Sequence, residues 1–196
     1  MEHHNEPKGG EHSPENDTGP ERTVPSIYVA SLADYNHGVL HGDWLNATVE
    51  PDELHEQIRA ILARSQQPNA EEWAIHGYEG FCGLDIDEHE NLESVFRLAT
   101  GIAQHGEAFA IYADWVGFEN AKPEEFGDHH AGSYESLGAC ARELADSLGW
   151  EHQVEQFADE SGIGPYVVID YEALAEDLRH EWHIVETDRG VHVFYP

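Results

Sequence analysis

The 196-residue sequence predicts an α+β fold, and three observations carry that reading. The first half opens with short β-branched and aromatic runs, separated by turn residues and wrapped around one amphipathic helical stretch. The middle carries apolar residues at helical spacing. The end is a helix followed by two strand-like runs about a tight turn. An apolar content of 40% suffices for real cores, and the length suits one large domain or two to three small ones in series.

Residues 1–24 hold Pro, Gly, Glu and His with almost no apolar side chain, so they are expected to form a disordered acidic tail. His3, His4 and His12 belong to that tail and read as solvated. Order is expected from Pro25. Residues 26–32 (SIYVASL) read as a strand, Tyr35-Asn36-His37-Gly38 as a turn, and residues 42–48 as a second strand. Pro51 suits the first position of a helix, with Asp52 and Glu53 in the first turn where the helix dipole favours carboxylates. Leu54, Ile58, Ile61 and Leu62 mark its apolar face, and the helix should end before Pro68. Residues 73–76 read as a third strand running into 77–81, which completes a β-β-α-β unit.

A helical section follows. Leu92, Val95, Phe96, Ala99 and Ile102 fall at helical spacing, and His105-Gly106 is a stop. Residues 108–116 (AFAIYADWV) are apolar nearly all round and read as a buried helix. A loop is expected over 122–132, then an amphipathic helix over 134–148 with Leu137, Cys140 or Ala141, Leu144 and Leu148 on its inner face and Gly149 closing it. Residues 154–160 read as a short helix and 166–169 (YVVI) as a strand. Asp170 is placed to cap a helix carrying Tyr171, Leu174, Ala175 and Leu178. The chain ends in a hairpin, 182–186 and 191–195, with its turn at 188–190.

Catalytic chemistry is hard to find. Asp85-x-Asp87-x-His89 starts like a calcium loop, but Glu90 stands where glycine is required and Phe96 where the closing glutamate is required. Gly77, Gly80 and Gly83 are followed by no Lys-Ser/Thr, so they make no phosphate loop. His129-His130 beside Asp128 is a weak metal pattern, and no nucleophile–base pair stands out. No catalytic residue, metal or cofactor is therefore expected. Cys82 and Cys140 offer neither a disulfide framework nor ligand spacing, and both are expected to be small core residues. With no membrane-length apolar run and no signal peptide, the expected location is the cytoplasm.

Charge is the outlier. Forty acids against nine lysines and arginines leave a net charge of −31. Residues 119–160 alone hold eleven carboxylates against Lys122 and Arg142. Such crowding opposes compaction, repels nucleic acid and anionic membranes, and attracts basic partners. If their segments are helical, Glu151, Glu155 and Asp159 stand four residues apart, as do Glu172 and Glu176, while Glu143 and Asp146 are three apart; none has a lysine beside it. Four residues of helix rise roughly 6 Å, the scale of phosphate spacing along a nucleic-acid strand. At one charge per about 1.7 Å of duplex, a charge of −31 corresponds to roughly 50 Å of DNA, about 15 base pairs. Composition leaves three readings open: a protein that imitates DNA, a protein adapted to high salt, and a generic acidic binding module.

The order of segments adds a resemblance. Residues 25–47 (PSIYVASLADYNHGVLHGDWLNA), 73–81 (WAIHGYEGF), 83–99 (GLDIDEHENLESVFRLA), 134–149 (YESLGACARELADSLG) and the ending 166–195 together resemble the ArdA antirestriction proteins. The resemblance implies a non-enzymatic DNA mimic, encoded on mobile elements, that occupies the DNA-binding groove of type I restriction-modification enzymes and protects incoming DNA from cleavage. It also implies an elongated homodimer of three small modules: here 25–90 mixed α/β, 91–120 mainly helical and 121–196 mixed α/β. The family's antirestriction motif corresponds to residues 110–135, near the dimer contact. The carboxylates expected to stand in for phosphates are Asp114, Glu119, Glu124, Glu125, Asp128, Glu135, Glu143, Asp146, Glu151, Glu155, Asp159, Glu172, Glu176 and Asp177. The expected partners are the type I enzyme and a second copy, with no nucleic acid and no membrane. The alternative is a salt-adapted acidic protein with a generic binding role or an unidentified enzymatic one.

Overall fold

A computed structural model describes residues 23–196; the tail expected over 1–24, with its three histidines, lies outside the described residues but for Thr23 and Val24. The fold is α+β, with two three-stranded antiparallel sheets and helices between and around them. In the first sheet β1 (Ser26–Ser31) is central, flanked by β2 (Gly42–Asn46) and β3 (Trp73–Glu79). Ile27 and Val29 of β1 alternate inward and are fully buried. Helix α2 (Pro51–Leu62) lays Leu54, Ile58 and Ile61 in the same core, and Pro51 sits at its start as the sequence predicts. The expected turn at 35–38 is preceded by a short helix, α1 (Leu32–Asn36), which starts three residues before it and whose Asp34 amide is capped by the Ser31 hydroxyl.

Two helices continue this core. α3 (Leu92–His105) and α4 (Glu107–Val116) are joined by Gly106 alone, whose φ of 67° lets the chain reverse without a side-chain penalty. They pack so closely that a Cβ at Gly101 would overlap the Phe109 ring. α4 is buried along Ala108, Phe109, Ala110, Tyr112 and Ala113, as its apolar run predicts.

The second sheet has β6 (Gly190–Phe194) in the centre, between β4 (His130–Tyr134) and β5 (His183–Thr187). Val191, His192, Val193 and Phe194 are all buried because both faces of β6 are covered. Val191 and Val193 join Leu137, Cys140 and Ala141 of α6 (Leu137–Ser147) and Leu178 of α8 (Tyr171–Glu181). Phe194 faces the other way into the core of α4, where it meets Tyr112, Trp115 and Phe126 of the short helix α5 (Phe126–His129). Histidines complete this aromatic junction: His183 stacks on Trp115, His129 on Tyr112 and His130 on Phe126.

Several expectations need correction. The loop expected over 122–132 contains α5 and part of β4, and Tyr134 belongs to that strand rather than to the following helix. The run HAGSY has little strand propensity; it pairs because β6 offers an open edge, and tertiary context wins. Leu148, expected on the inner face, lies beyond the end of α6 and is 48% exposed. The short helix expected at 154–160 extends over Trp150–Ser161 as α7. Residues 166–169 join neither sheet; a 3-10 turn (Gly164–Tyr166) leads into them. Cys82 is exposed in the turn after β3 at a φ of 52°, whereas Cys140 is buried as expected.

Candidate functional site

The fourteen carboxylates predicted to carry function fall on α4, the loop after it, α5, the turn between β4 and α6, and α6 to α8. All are exposed except Glu125, which is half-buried. On α7 the three acids Glu151, Glu155 and Asp159 recur every fourth residue and form one flank of a helix of which only Ala158 is buried. Glu143 and Asp146 sit on the outer side of α6, and Glu172, Glu176 and Asp177 on that of α8. α6 packs against both α7 and α8, so all three acid sets share one helical layer.

Neutralisation is scarce. Residues 23–196 carry 34 carboxylates and seven lysines and arginines. Arg59, Arg64, Lys122, Arg179 and Arg189 each pair with a carboxylate, and among the described residues those pairs engage only Glu56, Asp43, Glu125, Glu176, Glu186 and Glu107. The closest unshared pair is Lys122 with Glu125, 2.7 Å apart; the hydrogen bond to Glu125 and its charge push the Lys122 ammonium above its usual range. Arg97 instead donates to the Phe118 carbonyl, and Arg142 lies over the Tyr171 ring, 4.6 Å from its centroid. The cations are thus engaged within the protein, and the negative surface is almost unrelieved.

Arg142 has a structural task. It comes from α6, covers Tyr171 at the start of α8, and the Tyr171 hydroxyl donates to Glu151 at the start of α7. That hydrogen bond raises the Tyr171 phenol above its ordinary pKa. The three helices that hold the densest acids are therefore tied together at one corner by a cation, a ring and a carboxylate.

An open groove of about 1040 Å³ runs between α8 and the hairpin, and it brings Glu135, Glu172 and Glu176 together. Asp170, Glu186 and Asp188 also line it, acids that the sequence reading passed over because they lie at element ends. Glu124 lines a different hollow with Glu50 and Glu93 of the N-terminal half. Asp114, Glu119 and Asp128 line neither of these two hollows. The predicted acids thus share one sign of charge and wide exposure, but they do not converge on a single pocket.

The arrangement nearest to a catalytic one lies at the junction between the sheets. Ser133 Oγ is 2.8 Å from His192 Nδ1, and His192 Nε2 is 3.9 Å from Glu107. The spacing to Glu107 is too long for the hydrogen bond that would orient a base. His130 Nε2 also approaches Ser133 Oγ, at 3.2 Å, and so competes with His192 for the hydroxyl. Burial pushes both His130 and His192 below the usual imidazole range. These groups satisfy one another in a packed interface. Among the described residues no three His, Cys, Asp or Glu side chains come together as metal ligands, and no helix is long and apolar enough to cross a membrane.

Comparison with known proteins gives one family. The family model described as antirestriction protein (ArdA) matches residues 27–193, from β1 to the last strand. No curated protein matches the chain.

Proposed function

Because the chain belongs to the ArdA antirestriction family, we propose that it protects DNA by imitating it, occupying the DNA-binding groove of a type I restriction-modification enzyme. It acts by occupancy and performs no chemical step of its own. The observation that carries this reading is the layer of α6, α7 and α8, whose exposed acids stand at helical intervals with few cations beside them. Rigid helices hold those charges in place, so a groove built for phosphates meets them without first having to order them. Long-range attraction between opposite fields speeds the encounter and makes it sensitive to salt.

In this reading Glu143, Asp146, Glu151, Glu155, Asp159, Glu172, Glu176 and Asp177 form the main mimic surface. Asp114, Glu119, Glu124, Glu125, Asp128 and Glu135 extend it along residues 110–135. The working form is an elongated cytoplasmic homodimer of three modules, 25–90, 91–120 and 121–196, carried by a mobile element.

The test is DNA cleavage by a purified type I enzyme with increasing amounts of the protein. Cleavage should fall, and added DNA should restore it competitively. Normal cleavage at saturating protein would remove the proposal. Folding that requires molar salt would favour a salt-adapted protein instead.

A further inference from the structure

The groove between α8 and the hairpin has an apolar lip as well as carboxylates. Val168 and Ile169 line it, and the segment Tyr166-Val167-Val168-Ile169 joins neither sheet. Val167 is extended, with φ −117° and ψ 124°. Among the described residues, the amides and carbonyls of Val168 and Ile169 bond to no other backbone group. Tyr166 and Val168 stand 85% and 84% in solvent, more than any other large apolar side chain among the described residues. Leu137 and Val191 add apolar lining to the groove.

Its carboxylates are only partly neutralised. Arg179 holds Glu176 at 3.6 Å and Glu186 at 2.5 Å. Arg142 lies over Tyr171, and Arg189 reaches out to Glu107 at 3.9 Å. Glu135, Glu172 and Asp188 are exposed on the same groove and pair with no lysine or arginine among the described residues. They do not come together as metal ligands.

We propose that this groove holds an extended segment of the restriction enzyme in which lysines or arginines alternate with apolar side chains. Charge selects the occupant: DNA and acidic chains are repelled, and a basic chain is attracted. Lysine and arginine lay their aliphatic stems on apolar surface while their heads reach carboxylates such as Glu135, Glu172 and Asp188. The open backbone of Val168 and Ile169 pairs with the incoming chain, and its apolar side chains cover Tyr166 and Val168. DNA presents no apolar side chains, so here the contact goes beyond imitation of phosphates. Apolar burial is not screened by salt, so this part of the binding persists at ionic strengths that weaken the rest.

The proposal rests on the inhibition proposed above, and its first test needs no enzyme. The probes are two acetylated, amidated peptides of equal charge, Lys-Leu-Lys-Leu-Lys and Lys-Ser-Lys-Ser-Lys, added to the full-length chain. At roughly 1 M salt, where the Debye length is about 3 Å, calorimetry should show the leucine peptide binding at least about tenfold tighter. Hydrogen exchange at the Val168 and Ile169 amides should slow with that peptide alone. Tyr166→Ser with Val168→Ser strips the lip but keeps every carboxylate, and it should abolish the preference. Glu172→Gln with Asp188→Asn should weaken both peptides at low salt, and circular dichroism reports whether each variant is folded. Against the restriction enzyme, the lip variant should lose inhibition most at the highest salt the enzyme tolerates. Equal affinity for the two peptides at high salt overturns the proposal. So do amides that exchange freely with the leucine peptide bound, or a lip variant that inhibits like wild type at every salt. Protection that appears on concentrating the chain alone would assign the segment to a second copy and overturn it too. A wild type that never inhibits removes the parent reading, while the peptide preference and amide protection would still support a basic, apolar occupant of the groove.

Discussion

Trp115 and His183 lie face to face, with ring centroids 4.2 Å apart and planes 5° from parallel. One ring comes from the end of α4 and the other from the start of β5, so this stack joins the central helices to the closing hairpin. Phe194 lies against both rings, 5.9 Å from each. The C-terminal sheet is thus held to the rest of the fold by aromatic contacts, several of them with histidines, and those histidines can titrate.

Acidification should loosen that junction. Burial pushes the His183 and His192 imidazoles below their usual range; it does the same to His130, helped by His192 and His105 nearby. Glu107, which also pairs with Arg189, opposes the shift at His192. A lowered folded pKa means the fold accepts the neutral ring. The stabilisation is present above the ordinary imidazole value of about 6.5 and is lost as pH falls through the lower folded values. The melting temperature should fall as pH drops from neutral toward 5, and His183→Phe, which keeps a ring on Trp115 but cannot titrate, should fall less. Equal slopes for both proteins would remove His183 from the explanation.

Phe194→Ala should cost about 3–5 kcal/mol, the range for truncating a buried aromatic. The side chain is fully buried and belongs to the core that also contains α3 and α4. Urea unfolding measures the loss. A change within experimental scatter would mean that the sheet does not depend on this contact.

Gly101→Val should destabilise by roughly 1–3 kcal/mol through overpacking. An exposed helical glycine would gain from a side chain, but here the added Cβ meets the buried Phe109 ring. Guanidinium unfolding gives the sign directly, and a stabilised variant would show that α3 and α4 can move apart freely.

Tyr171→Phe removes the hydroxyl that donates to Glu151 and keeps the ring beneath Arg142. A modest loss of thermal stability is expected, with inhibition of the restriction enzyme nearly unchanged, because Glu151 keeps its charge. Loss of inhibition with unchanged stability would mean that the tyrosine touches the target itself.

The elements legible in the sequence are those fixed by local chemistry. α2 begins at Pro51 and buries the predicted Leu54, Ile58 and Ile61, α3 stops at Gly106, and Asp170 caps α8 through the amides of Glu172 and Ala173. The misses have distant causes. His130-Ala131-Gly132-Ser133-Tyr134 is a strand only because Phe194 to Val191 lies alongside it, a pairing some sixty residues away. Tyr166 to Ile169 has strand composition but no neighbour within its own chain. Cys82 reads as a core residue by type, yet the turn that follows β3 carries it outward. For the candidate site, α7's four-residue acid repeat was visible in sequence, because helical period converts spacing into one flank. The corner formed by Arg142, Tyr171 and Glu151 was not, since it joins three helices.

The central claim is that helical carboxylates stand in for phosphates, and reversing the α7 acids tests it most directly. Glu151→Lys, Glu155→Lys and Asp159→Lys together leave the buried Ala158 untouched and change only exposed positions. The measurement is inhibition of type I cleavage by this triple variant against wild type, at low and high salt, with circular dichroism confirming the fold. The account predicts that the folded variant needs at least about tenfold more protein for the same inhibition at low salt, a difference of about 1.4 kcal/mol in binding, and that the gap narrows as salt screens the charges. A folded triple variant that inhibits as well as wild type at low salt would contradict it.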